Sequence, residues 1–128
     1  MNLSTAIESY KQVKVTEVAD EESPHELIRI VFSVLLENVE GLKKNVKHTD
    51  ARWEKPFNKC MFALSILRES LDFDKGGDIA TQLDNLYAFC QKTLLSAVGK
   101  SSPEPLETVH TVIADLSSAW DEIKPVTL

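Results

Sequence analysis

Two helix starts of the same design, Ser23-Pro24-His25-Glu26 and Ser102-Pro103-Glu104, each open a run of apolar residues spaced by threes and fours. Serine at an N-cap accepts from orphan amides, and proline at the first helical position has no amide to lose. Glu26 closes a capping box behind Ser23. Behind the first start run Ile28, Val31, Leu35, Val39, Leu42 and Val46. Behind the second run Leu106, Val109, Ile113, Leu116, Trp120 and Ile123, and Pro125 ends that helix. Between them lie two more runs of the same period: Phe57, Cys60, Leu64, Leu67 and Leu71, then Ile79, Leu83, Leu86, Cys90, Leu94 and Ala97. Asp50 is the expected N-cap of the second helix, and Lys75-Gly76-Gly77 supplies the turn before the third, which Gly99 stops. Pro56 is discordant, so the regular part of the second helix is expected to begin there.

Leu27, Ile30, Phe32, Val34 and Leu36 widen the first stripe to nearly all faces, which puts that helix centrally. Four amphipathic segments with short connections predict an all-α, antiparallel, up-down-up-down four-helix bundle. Its helices are expected over 23–48, 50–72, 78–98 and 103–124 of one domain, after an N-terminal segment and linker over 1–22. Strand-like alternation is confined to Val13 and Val15 in that linker. Leu3, Ala6, Ile7 and Tyr10 make a short helical face, too short to be stable alone, so it is expected to dock on the bundle.

Charge narrows the partners. Fourteen Lys and Arg against twenty Asp and Glu leave a net charge of −6, which excludes the electrostatic footprint of a nucleic-acid binder or of an anionic membrane surface. The first residues lack the basic start and apolar run of a signal peptide, and the longest apolar stretch, Leu27 to Leu36, is broken by Arg29 and Ser33. A cytoplasmic location is expected. Cys60 and Cys90 fall on core positions, where a thiol acts as a small hydrophobe.

A helical bundle can house a metal centre or a phosphotransfer histidine. Glu-x-x-His occurs at Glu22 to His25, across a helix start, and at Glu107 to His110, where no inward carboxylate faces it from the other helices. Neither makes a metal site. A histidine-phosphotransfer bundle is the alternative function, with His110 its test residue. That reaction needs an exposed His followed within a turn by Lys and a small residue, and here Thr111-Val112-Ile113-Ala114 follows. No Cys-His or Ser-His-Asp grouping arises, and Lys75-Gly76-Gly77 reverses the order of a phosphate loop. The expectation is a protein without catalytic residues, metal or cofactor. What remains is surplus hydrophobicity: Met61, Phe62 and Ile66 on the second helix and Tyr87, Phe89 and Leu95 on the third. About half of it is ordinary core breadth. The rest predicts an apolar groove for an amphipathic helix, with Phe62, Ile66, Leu83 and Tyr87 as its candidate lining and the Ile7 and Tyr10 face in or beside it.

The stretch Ser70-Leu71-Asp72-Phe73-Asp74-Lys75-Gly76-Gly77-Asp78-Ile79-Ala80, continuing to Leu83, Leu86 and Tyr87, closely resembles the signature of the flagellar secretion chaperone FliS family. Ile7-x-x-Tyr10-x-x-Val13, Ser23-Pro24-His25-Glu26-Leu27-Ile28 and Ala119-Trp120-Asp121-Glu122-Ile123 resemble three further segments of that family in order and spacing. The chain departs at Phe32-Ser33-Val34, where the family often has Asp-Gly, at Phe89 in place of a tyrosine, and at Gln91-Lys92 in place of a basic pair. The resemblance implies a cytoplasmic chaperone that binds the disordered C-terminal segment of flagellin and holds it unpolymerised until export. By matching position it makes Ile7, Tyr10 and Val13 N-terminal contact candidates. Other flagellar export or regulatory proteins are further candidate partners.

Overall fold

The computed structural model describes residues 24–122. Four helices follow in order, α1 (Pro24–Lys44), α2 (Ala51–Glu69), α3 (Phe73–Ala97) and α4 (Glu104–Glu122). There is no strand among the described residues. Each helix packs on its two neighbours in a closed ring, α1 on α2 and α4, and α3 on α2 and α4. Contacts between neighbouring helices give the directions. His25 at the start of α1 meets Trp120 at the end of α4, Cys60 reaches the Leu35 carbonyl, and Arg68 near the end of α2 meets Asp84 on α3. The fold is the antiparallel up-down-up-down bundle that the periodicity predicts. The expected N-terminal helix lies outside the described residues, as does Ile123.

The core is the predicted stripes brought face to face. Val31, Leu35, Val39 and Leu42 of α1 meet Cys60, Leu64 and Leu67 of α2, Cys90 and Leu94 of α3, and Leu106, Val109 and Ile113 of α4 in one cluster. Burying each such side chain contributes about 1.5–3 kcal/mol against leaving it in water. Leu116 and Trp120 sit half-buried at the edge of that cluster.

The second helix starts at its expected cap and runs regularly through Pro56, whereas the third starts earlier than expected. α2 begins at Ala51, ahead of Pro56, because Asp50 caps it: its carboxylate accepts from the Arg52 amide at 3.0 Å, and its carbonyl accepts from Glu54 N–H at 2.9 Å. Pro56 thus stands in the second turn. It faces Gly41 of α1 closely enough that a Cβ there would lie 3.5 Å from the Pro56 Cβ.

α3 gains a turn on its N-terminal side. Asp72 accepts from the Lys75 amide at 3.0 Å and caps a first turn from Phe73. Gly77 then breaks the axis with φ 50 and ψ −126 before the regular helix runs on. That conformation is reserved for glycine. The break also folds the two pieces together, so that a Cβ on Gly76 would stand 2.9 Å from the Ala80 Cβ. Gly77→Ala is therefore expected to cost about 1–3 kcal/mol of backbone strain, read as a lowered urea midpoint. A midpoint unchanged from wild type would show that the kink relaxes without cost.

Candidate functional site

α3 carries more apolar residues than its buried stripe uses. Ala80, Tyr87, Cys90, Leu94 and Ala97 face the core. Ile79 is nevertheless 69% exposed and Phe89 46% exposed, and Phe73, Leu95 and Val98 are exposed with them. Every exposed large hydrophobic side chain among the described residues belongs to α3 or to its C-cap, Val98. The Gly77 break explains Ile79: the heptad spacing puts it on the seam, but it stands in the first turn after the kink, and Ala80 takes the inward position.

The two seams flanking α3 differ in kind. Toward α2 there is a polar ladder. Arg68 donates to both Asp84 oxygens, at 2.7 and 3.3 Å, and to Gln91 Oε1 at 3.0 Å. Gln91 in turn donates to Ser65 Oγ at 3.2 Å and to the Met61 carbonyl at 3.4 Å. Such a ladder fixes register, because a shifted α3 would leave its polar groups unpaired. Toward α4 no hydrogen bond or ion pair crosses among the described residues, so that seam is held by apolar contact alone. Across the ring, α1 and α4 are tied by His25 with Trp120 and by His110 Nε2 with Glu40 Oε1 at 3.3 Å.

The candidate groove residues fall into two pairs. Phe62 and Leu83 are half-buried against the core cluster, while Ile66 (1% exposed) and Tyr87 (5% exposed) belong to it. Phe62 and Ile66 lie about 100° round α2 from Met61 and Ser65, which face the ladder. The α2 pair is thus turned away from the ladder, and Ile66 and Tyr87, buried in the core, reach a partner only where helices part. Ile7, Tyr10 and Val13 lie outside the described residues. What the periodicity missed is the exposed set on α3, Ile79 above all. Phe89 and Leu95 were visible in the sequence as surplus hydrophobicity.

Family comparison gives the surface a context. The description "Flagellar protein FliS" matches residues 6–127 of the chain. The chain belongs to the FliS family. It is 30% identical to the flagellar secretion chaperone FliS of Vibrio cholerae, over 94% of this chain and 89% of that one. It is 28% identical to FliS of Salmonella typhimurium, over 98% of this chain and 94% of the relative. FliSB of Pseudomonas aeruginosa is also 28% identical, over 92% and 94%.

For this FliS-family chain the local chemistry runs against nucleophilic catalysis. Burial pushes the Cys60 thiol up to about 12 and the Cys90 thiol up to about 11; a thiolate nucleophile needs the reverse shift. Burial, with a smaller contribution from Cys90, also raises the Tyr87 phenol to about 12. Among the described residues no three His, Cys, Asp or Glu side chains gather as a metal requires, and no helix is long and apolar enough to cross a membrane. His110, the phosphotransfer test residue, is engaged by Glu40 rather than presented alone.

The raised thiols have a stability consequence. In the unfolded chain they ionise near pH 8.5, in the folded chain only toward about 11 and 12. Above pH 8.5 the unfolded state therefore binds fewer protons than the native one, so stability is full below that pH and falls as pH rises toward the folded values. Urea midpoints should hold to about pH 8.5 and then fall, and the fall should shrink in a Cys60→Ala, Cys90→Ala double variant. An equal fall in that variant would remove the thiols as its cause.

Proposed function

We propose that this chain is a cytoplasmic export chaperone for flagellin. It takes the flagellin C-terminal segment, disordered in the monomer, as an amphipathic helix against its own apolar surface and so keeps the monomer from polymerising before flagellar export. The observation that carries the reading is the exposed apolar set of α3, in a chain of a family whose relatives are named flagellar secretion chaperones. An apolar helix face left open to water is the complement of an amphipathic partner helix. The apolar α3–α4 seam beside it can part without breaking a hydrogen bond. Ordering a disordered segment costs free energy, so the contact must be extended. On this reading Phe62 and Leu83 are rim contacts, Ile66 and Tyr87 are reached as helices part, and Ile7, Tyr10 and Val13 contribute from the N-terminal segment. The activity is binding, without catalysis, metal or cofactor.

Calorimetric titration with the same organism's flagellin, intact and lacking its C-terminal segment, tests this. Tight binding to the intact form alone is expected. Ile79→Gln with Phe89→Gln, or Tyr10→Ala, should weaken it at least about tenfold, about 1.4 kcal/mol, with helix content and melting temperature held. Heat of equal size with both flagellins, or none with either, would sink the proposal.

A further inference from the structure

Residues 43–59 hold six of the fourteen Lys and Arg but only two of the twenty Asp and Glu. This one stretch of an acidic chain is therefore net positive. It comprises the last turn of α1, the connecting turn and the first half of α2. The two helices touch there, at Gly41 and Pro56. Two of the six cations are engaged locally. Lys43 Nζ lies 3.2 Å from Glu40, and Arg52 lies 2.6 Å from Asp50, whose carboxyl the guanidinium holds well below the usual carboxylate range. The other four, Lys44, Lys47, Lys55 and Lys59, are exposed and have no ion pair among the described residues. Lys55 and Lys59 stand four apart on one face of α2, a like-charge spacing that works against the helix.

We propose that this basic end of the bundle docks a carboxylate-rich segment of another protein. These four unpaired lysines lie on α1, α2 and the turn between them and none on α3, so a chaperone holding its cargo along the α3 face leaves them open to a second partner. Charge complementarity selects the partner class, because exposed lysines speed encounter and choose sign more than they add affinity. The neighbourhood selects among anions. No exposed aromatic or large aliphatic side chain lies on α1 or α2, so the helices that carry the lysines offer no platform to stack bases and no wedge to enter an acyl layer. Trp53 is buried and Phe57 half-buried. A long polyanion or a lipid plane would also run on from this end against the acidic remainder of the chain, whereas a short acidic protein segment would not.

The test uses the full chain and a fluorescent synthetic peptide rich in Glu and Asp, with single-stranded DNA and phosphatidylglycerol vesicles as competing probes. Binding of the peptide, weakening steeply with salt, is expected. The Lys47→Gln, Lys55→Gln, Lys59→Gln variant should bind it at least about tenfold more weakly, while a charge-matched Lys11→Gln, Lys75→Gln, Lys124→Gln variant binds as wild type does. Both variants should keep the wild-type melting temperature, and the first should keep the flagellin titration. Equal loss in the two variants, no peptide binding, or tighter binding of DNA or vesicles would overturn the proposal. So would low-salt self-association of the wild type that the first variant abolishes, since the occupant would then be a second copy.

Discussion

Trp53→Ala should cost about 3–5 kcal/mol of stability, whereas Trp53→Phe should change it by no more than about 1 kcal/mol. The ring sits in the first turn of α2, 4% exposed, and stacks on Phe57 with centroids 6.3 Å apart. Its Nε1–H is buried with no hydrogen-bond acceptor among the described residues. An orphaned buried donor carries a desolvation penalty of about 1–3 kcal/mol. Phenylalanine keeps most of the packing and deletes the orphan, so lost volume and relieved penalty oppose each other. Alanine deletes both and leaves a cavity where α2 meets the end of α1. Urea unfolding of the three proteins decides it. If Phe costs as much as Ala, the indole N–H has an acceptor and the balance described above is wrong.

Trp53 also marks where sequence reading stopped. The period in α2 was legible from Phe57 onward because Cys60, Leu64 and Leu67 recur at helical spacing and all end in the core. Asp50 is legible as the cap ahead of it, while Pro56 argues against a regular turn between the two. A proline in the second turn costs one helical hydrogen bond, and a local cap at Asp50 together with burial of Trp53 outweighs that cost. The third helix shows the opposite limit. Lys75-Gly76-Gly77 was legible as a break in direction, yet glycines alone do not say whether the chain before them is helical. Asp72 decides that, by capping Lys75. The same break moved Ile79 from the expected seam into solvent. Periodicity counts residues along one straight axis, so it misplaces the first residue after a kink. Of the candidate site, surplus apolar content was therefore visible while its address was not: Ile66 and Tyr87 went to the core and Ile79 and Phe89 to the surface. The basic end was present in the sequence throughout, hidden by a net charge that averages it with the acidic remainder.

Trp120→Ala should cost about 2–4 kcal/mol and should loosen the start of α1 before the rest of the bundle. Trp120 and His25 form a reciprocal clasp. The indole Nε1–H donates to the His25 carbonyl at 2.9 Å, and His25 Nε2 lies 3.2 Å from the Trp120 carbonyl. The rings stack between, with centroids 4.7 Å apart and planes 14° from parallel. Carbonyls in the last turn of a helix have no intrahelical partner, and Trp120 stands in the last turn of α4, so the imidazole supplies what the helix cannot. Phe32 adds a tilted ring contact at 6.4 Å. This clasp fastens both ends of the chain's described part to each other. Trp120→Phe keeps ring packing but loses the indole donor, so it should fall between wild type and alanine. Native-state hydrogen exchange should show faster amides over the first turns of α1 in Trp120→Ala, with the α2–α3 ladder region shielded as in wild type. Uniform acceleration across all four helices would mean that Trp120 supports the whole core and that no separate clasp exists.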